Sequence, residues 1–137
     1  MEYHKIDKDS IEDVLERAKQ YRSLLQPDMA ISICMDIFAV DKNNQDALVI
    51  YILALTDQLS QSESKVHQKM ITDSIKRLDS KFLQHYYSGI FYERQARSLL
   101  KHSMSRSFAY EGFIEAIAEF EIAEKMAPVH CADPILR

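Results

Sequence analysis

Nine consecutive residues, Ala47-Leu-Val-Ile-Tyr-Ile-Leu-Ala-Leu55, carry no charge and no strongly polar group. The run is too short to span a bilayer, which takes about 20 apolar residues. A segment that is apolar on every side has to be covered on every side. Periodicity cannot separate a buried strand from a buried helix inside such a block, so the flanks decide. Asn43-Asn44-Gln45-Asp46 supplies cap candidates and early negative charge, and Thr56 to Leu59 continues the run before a serine-rich break. The expectation is a central helix with the rest of the chain wrapped around it.

The sequence has 137 residues, enough for one core and too few for two of ordinary size. Only two Gly and three Pro are available for turns. That scarcity favours long helices with short polar connections over a β-fold. Residues 1–10 hold no apolar signal core and nothing qualifies as transmembrane, so a cytoplasmic location is expected, with Cys34 and Cys131 as reduced thiols. Charge is unevenly spread. Residues 1–64 hold 6 Lys/Arg against 12 Asp/Glu, residues 65–106 hold 9 against 3, and residues 107–137 hold 2 against 6. A basic middle thus lies between acidic ends.

Helical spacing divides the chain into six segments. Ser10 with Asp13 resembles a capping box, and Ile11, Val14, Leu15, Ala18 and Tyr21 form a stripe expected to run to about Leu25. Pro27 fits the first turn of a second helix carrying Ala30, Ile33, Cys34, Ile37 and Phe38. After the central helix, Ser60 with Glu63 would cap a fourth, carrying Val66, Met70, Ile71, Ile75 and Leu78 and stopping at Asp79-Ser80. A fifth opens near Lys81 with Phe82, Tyr86, Tyr87, Phe91 and Tyr92 and continues through Leu100. Residues 103–107 read as a loop, and a sixth helix carries Phe113, Ala116, Ile117, Phe120 and Ala123 before Pro128. The fold class is all-α, built of antiparallel helix pairs.

A fixed-period repeat runs under this pattern. Ser88-Gly89-x-x-Tyr92 and Ala116-x-x-x-Phe120, with Ala123 and Pro128, match the two halves of a 34-residue helix-pair motif, although 27 residues separate Gly89 from Ala116 where the consensus has about 12. Ala18-x-x-Tyr21 and Ala30 repeat the pattern earlier at the consensus spacing, and Ile52-x-x-Leu55 lies 34 residues further on. In the middle repeat Ile71 and Ser74 take the aromatic and small positions, while His67 stands where Ala is expected. On these residues the chain resembles the tetratricopeptide-repeat family. It would have an N-terminal segment 1–10, repeats at about 11–44, 45–80 and 81–128, and a C-terminal segment 129–137. The resemblance implies a short right-handed solenoid in which small residues at Ala18, Ala30, Gly89, Ala116 and Ala123 let paired helices approach closely.

Residues suited to catalysis or metal binding are few. Gly-rich phosphate loops, Cys-x-x-Cys pairs and His-x-x-x-His ladders are missing from the sequence. Cys34 lies on an apolar stripe and reads as a buried thiol. His67 and His85 read as packing or boundary histidines. Glu119-x-Glu121 reads as a solvated face, and His130-Cys131-x-Asp133 lacks a fourth metal ligand. No enzyme activity, cofactor or metal is expected.

Binding is the function the resemblance implies. First helices of successive tetratricopeptide repeats line a concave groove that receives a peptide. Carried onto matching positions, that groove would consist of Leu15, Lys19 and Arg22, then Val49, Ile50, Leu53 and Asp57, then Tyr86, Tyr87, Ile90 and Arg94. Its centre is apolar and aromatic and its rim charged, as in protein-binding patches. Leu15, Glu16 and Ile50 occupy the places where chaperone-binding members put their carboxylate-clamping Lys and Asn, so a carboxylate clamp is not expected. The expectation is a small bacterial adaptor or chaperone that holds a hydrophobic segment of a partner protein. The alternative is a homo-oligomer, such as a homodimer, that assembles through the same apolar surfaces. Nucleic acid is a poor fit at a pI near 5.7. The face of Phe113, Ile117 and Phe120 is expected to be only partly covered within one chain, and Tyr3 and Ile6 are candidates to fold over the groove.

Overall fold

The computed structural model describes residues 10–59, 65–100 and 106–127. These form six helices, with no strand among the described residues: α1 Ile11–Ser23, α2 Pro27–Val40, α3 Gln45–Asp57, α4 Lys65–Lys76, α5 Lys81–Leu99 and α6 Arg106–Met126. The fold is all-α, as composition and periodicity predict. The chain divides into two compact units, Met1–Arg77 with α1–α4 and Leu78–Arg137 with α5 and α6. The division falls beside the expected boundary between the second and third repeats. The Ser60–Glu63 capping box, Tyr3 and Ile6, residues 101–105 and everything from Pro128 on lie outside the described residues.

In the first unit α1 packs on α2, α2 on α3 and α3 on α4, and α1 also touches α3. The apolar run builds α3, whose start is fixed by Asn44: its side-chain oxygen accepts from the Ala47 backbone N–H at 2.9 Å. Within the run only Val49 and Leu53 keep appreciable surface; the other seven residues are buried. Ala18, Ala30, Cys34, Ile37 and Ile71 close the core around them, all fully inaccessible. Polar ties lock the edges. Arg77 donates to the Lys42 carbonyl and lays its guanidinium over the Phe38 ring at 4.9 Å, fastening the end of α4 to the α2–α3 turn. Phe38 in turn meets Tyr51 edge-on at 5.4 Å.

Two expectations for this unit are corrected. Ser10 makes no side-chain cap bond, and its backbone is already helical (φ −95°, ψ −3°) rather than extended as a cap requires. The first helix ends at Ser23 rather than Leu25: Leu25 adopts φ 61°, and the Gln26 N–H then reaches back to the Tyr21 carbonyl at 2.9 Å. That is a left-handed helix stop of the kind usually made by glycine.

The second unit is one long helix pair. Ser80 caps α5 by accepting from the Leu83 N–H at 3.2 Å. Two contacts set the α5–α6 separation. A Cβ on Gly89 would lie 2.7 Å from the Phe120 ring, and one on Gly112 would lie 3.0 Å from Ala96 Cβ. On the α6 side the buried residues are Ala109, Ala116 and Ala123, spaced by seven. A narrow seam of alanines therefore faces α5 and leaves the larger side chains of α6 to the flanks.

Candidate functional site

The expected groove draws on both units, and its residues fall into four groups. Leu15, Ile50, Tyr86 and Ile90 are buried. Tyr86 is packed by rings: Tyr87 at 5.0 Å, Phe120 at 5.8 Å and Phe82 at 6.1 Å. These four therefore serve packing, not an open surface. Arg22 and Asp57 are spent on each other. Arg22 Nε donates to Asp57 Oδ2 at 2.7 Å and its terminal nitrogen to Oδ1 at 3.2 Å, a two-pronged bridge that ties α1 to α3. Lys19 is exposed and pairs with Glu16 at 3.1 Å. Val49, Leu53, Tyr87 and Arg94 remain half-buried.

Two surfaces that the groove reading did not single out hold more fully exposed apolar side chains. The first is on the second unit. Phe108 is 64% exposed, and Tyr110, Ile114, Ile117, Ile122 and Met126 are exposed along the same helix. Phe113 and Phe120 are half-buried, so the face they form with Ile117 is partly covered. A cleft of about 710 Å³ opens between the second half of α5 and the first half of α6. Tyr92, Leu99, Phe108 and Ile114 supply its apolar lining, and Glu111 and Glu115 its carboxylates. Burial, then Glu119 and Glu115, push the Tyr92 phenol above its usual range.

The second surface is on α4. Ile71, Ser74 and Ile75 are its buried residues. Val66 is 72% exposed and Met70 is exposed as well, correcting their assignment to the core-facing set. Lys65 and Lys69 flank them, and Lys69 Nζ lies 2.7 Å from Asp73 Oδ2 on the open surface.

The titratable groups of the interior serve packing. Burial pushes the Cys34 thiol up to about 12, which keeps it protonated and a poor nucleophile at neutral pH. His67 Nε2 lies 2.8 Å from the Leu55 carbonyl oxygen, joining α4 to α3. His85 Nδ1 lies 2.7 Å from Glu119 Oε2, so Glu119 is a half-buried partner across the helix pair and not part of a solvated face. No local pattern announces that pair, because its members are 34 residues apart. Among the described residues no cluster of three His, Cys, Asp or Glu is placed to hold a metal ion. No described helix is long and apolar enough to cross a membrane.

No protein-family model matches the chain, and no curated protein or solved structure matches it significantly.

Proposed function

We propose that this chain is a non-enzymatic protein-interaction module, built like a short tetratricopeptide array, that holds an apolar segment of another protein. The carrying observation is the open, aromatic-lined cleft between α5 and α6, with Phe108 and Ile114 exposed at its edge. Large aromatic anchors beside a charged rim are what a protein-binding patch needs. The helix-to-next-helix packing of the first unit and the glycine contact at Gly89 agree with the family pattern. The groove residues that keep surface, Val49, Leu53 and Tyr87, offer a second apolar patch for the same work.

The test is capture from native extract with the tagged chain and two control variants. Phe108→Glu with Ile114→Glu removes the cleft's apolar edge, and Leu53→Glu with Tyr87→Glu removes the groove surface. Capture of a defined protein that is lost in the first pair, with the helical dichroism kept, is the expected result. Loss only in the second pair moves the site to the groove. Equal capture by parent and both variants, or none by any, refutes the reading. Assembly between copies is a second reading, favoured by the opposite charge of α4 and α6.

A further inference from the structure

The two exposed apolar surfaces are complementary in charge. α4 carries Lys65, Lys69 and Lys76 against Asp73 alone, whereas α6 carries Glu111, Glu115, Glu119, Glu121 and Glu124 against Arg106 and Lys125. We infer that the α4 stripe of one copy seats in the α5–α6 cleft of another, so that the chain associates with itself head to tail. This goes beyond the proposed function: it names a second copy of this chain as the occupant of the same cleft.

Three observations carry it. Val66 is 72% and Phe108 64% exposed, so neither surface is covered by the described residues of its own unit. Their spacings agree: Lys65 and Lys69, Val66 and Met70, and Glu111 and Glu115 are all four residues apart, about 6 Å along a helix. Two helices laid side by side can therefore bring both ammonium groups to both carboxylates, with Val66 and Met70 beside the apolar edge of the cleft. Third, pairing α6 with α6 of a second copy would bring two net-negative helices together, which opposes a symmetric contact. The existing Lys69–Asp73 pair is no obstacle. It is exposed, and such pairs contribute little, so exchanging Asp73 for a cleft carboxylate is nearly neutral. A contact between two different surfaces is heterologous and continues from copy to copy into a ring or an open row.

The experiment is light scattering and sedimentation of the full chain over a wide concentration range at low salt. The parent's average mass should climb past that of a dimer as concentration rises. Val66→Glu with Met70→Glu should stay at the monomer mass of 15.9 kDa, and so should Phe108→Glu with Ile114→Glu. An equimolar mixture of the two should form a species of twice that mass and no larger, because each variant keeps one intact surface. Lys65→Gln with Lys69→Gln tests charge alone and should weaken association about tenfold, as raised salt should. If the glutamate variants lose helical signal, this milder pair decides. A parent that stays monomeric throughout overturns the inference, as does a mixture without dimer. An α4 variant that associates like the parent also overturns it, and places the contact on α6 alone. Should the chain not self-associate while extract capture still depends on Phe108 and Ile114, the inference falls and the broader reading stands. Self-association with no capture from extract has the opposite meaning.

Discussion

α3 and α6 are both rich in apolar residues, and they use them in opposite ways. α3 buries eight residues, among them Leu48, Ile50, Ile52 and Leu55, because α1, α2 and α4 all pack on it. α6 buries three, all alanine, and turns Phe108, Tyr110, Ile114 and Ile117 outward. The hydrophobic content of a helix therefore says how much surface needs covering, whereas the number of neighbours decides how much is covered. In this chain the helix with the larger uncovered apolar surface is the one with the single main neighbour. That is the physical basis for proposing a binding surface there.

The sharpest test of the contrast is a deletion in the covered helix. Ile52→Ala removes a fully inaccessible side chain and should lower the unfolding free energy by about 2–5 kcal/mol in chemical denaturation. A loss well under that range would mean that α3 is less enclosed than its neighbours imply.

Gly89→Leu comes next. The new side chain meets the Phe120 ring, and overpacking there should cost about 1–3 kcal/mol. Because the obstacle is a side chain, Phe120→Ala should recover part of the loss when combined with Gly89→Ala, giving a non-additive double-mutant cycle. Additive effects would place the strain elsewhere.

The same contrast explains what could be read in the sequence and what could not. The flanks of the apolar run of α3, the Pro27 start of α2 and the break at Ser80 are local signals, whereas the closeness at Gly89 follows from its place in the repeat pattern. The direction of a side chain is different. Val66 and Met70 sit among Ile71, Ser74 and Ile75 on a 12-residue helix, and apolarity alone does not say which of them faces inward. Family position puts Leu15, Ile50, Tyr86 and Ile90 on a groove, whereas their burial depends on the packing around each residue. Gly112 carries no local signal, because its role appears only when Ala96, on the facing helix, lies opposite. Leu24 and Leu25 prolong the apolar pattern past the end of α1, whereas the backbone at Leu25 turns left-handed.

That turn supplies a smaller test. Leu25 is 89% exposed, so its side chain contributes almost nothing to packing, while its φ of 61° is costly for any residue with a Cβ. Leu25→Gly removes the conformational cost and adds some chain entropy to the unfolded state. The net should be a gain of about 0.5–1 kcal/mol, read as a raised denaturation midpoint with an unchanged slope. A loss of stability would show that Leu25 is covered, which would weaken the division between covered and uncovered apolar residues.

The smallest effect belongs to α6 itself. Ile114→Gln with Ile117→Gln replaces two exposed side chains, the second 55% accessible, by a good helix former. In dilute solution the pair should change stability by less than about 0.5 kcal/mol per site, since nothing is uncovered by the substitution. At high concentration the outcome should differ. A parent stabilised by association melts higher as it is concentrated, and the double variant should lose most of that dependence because Ile114 lies in the cleft. A cost of several kcal/mol in the dilute sample would mean that this face is already packed within one chain. The contrast between α3 and α6 would then disappear, and with it the reason to look for a partner on α6.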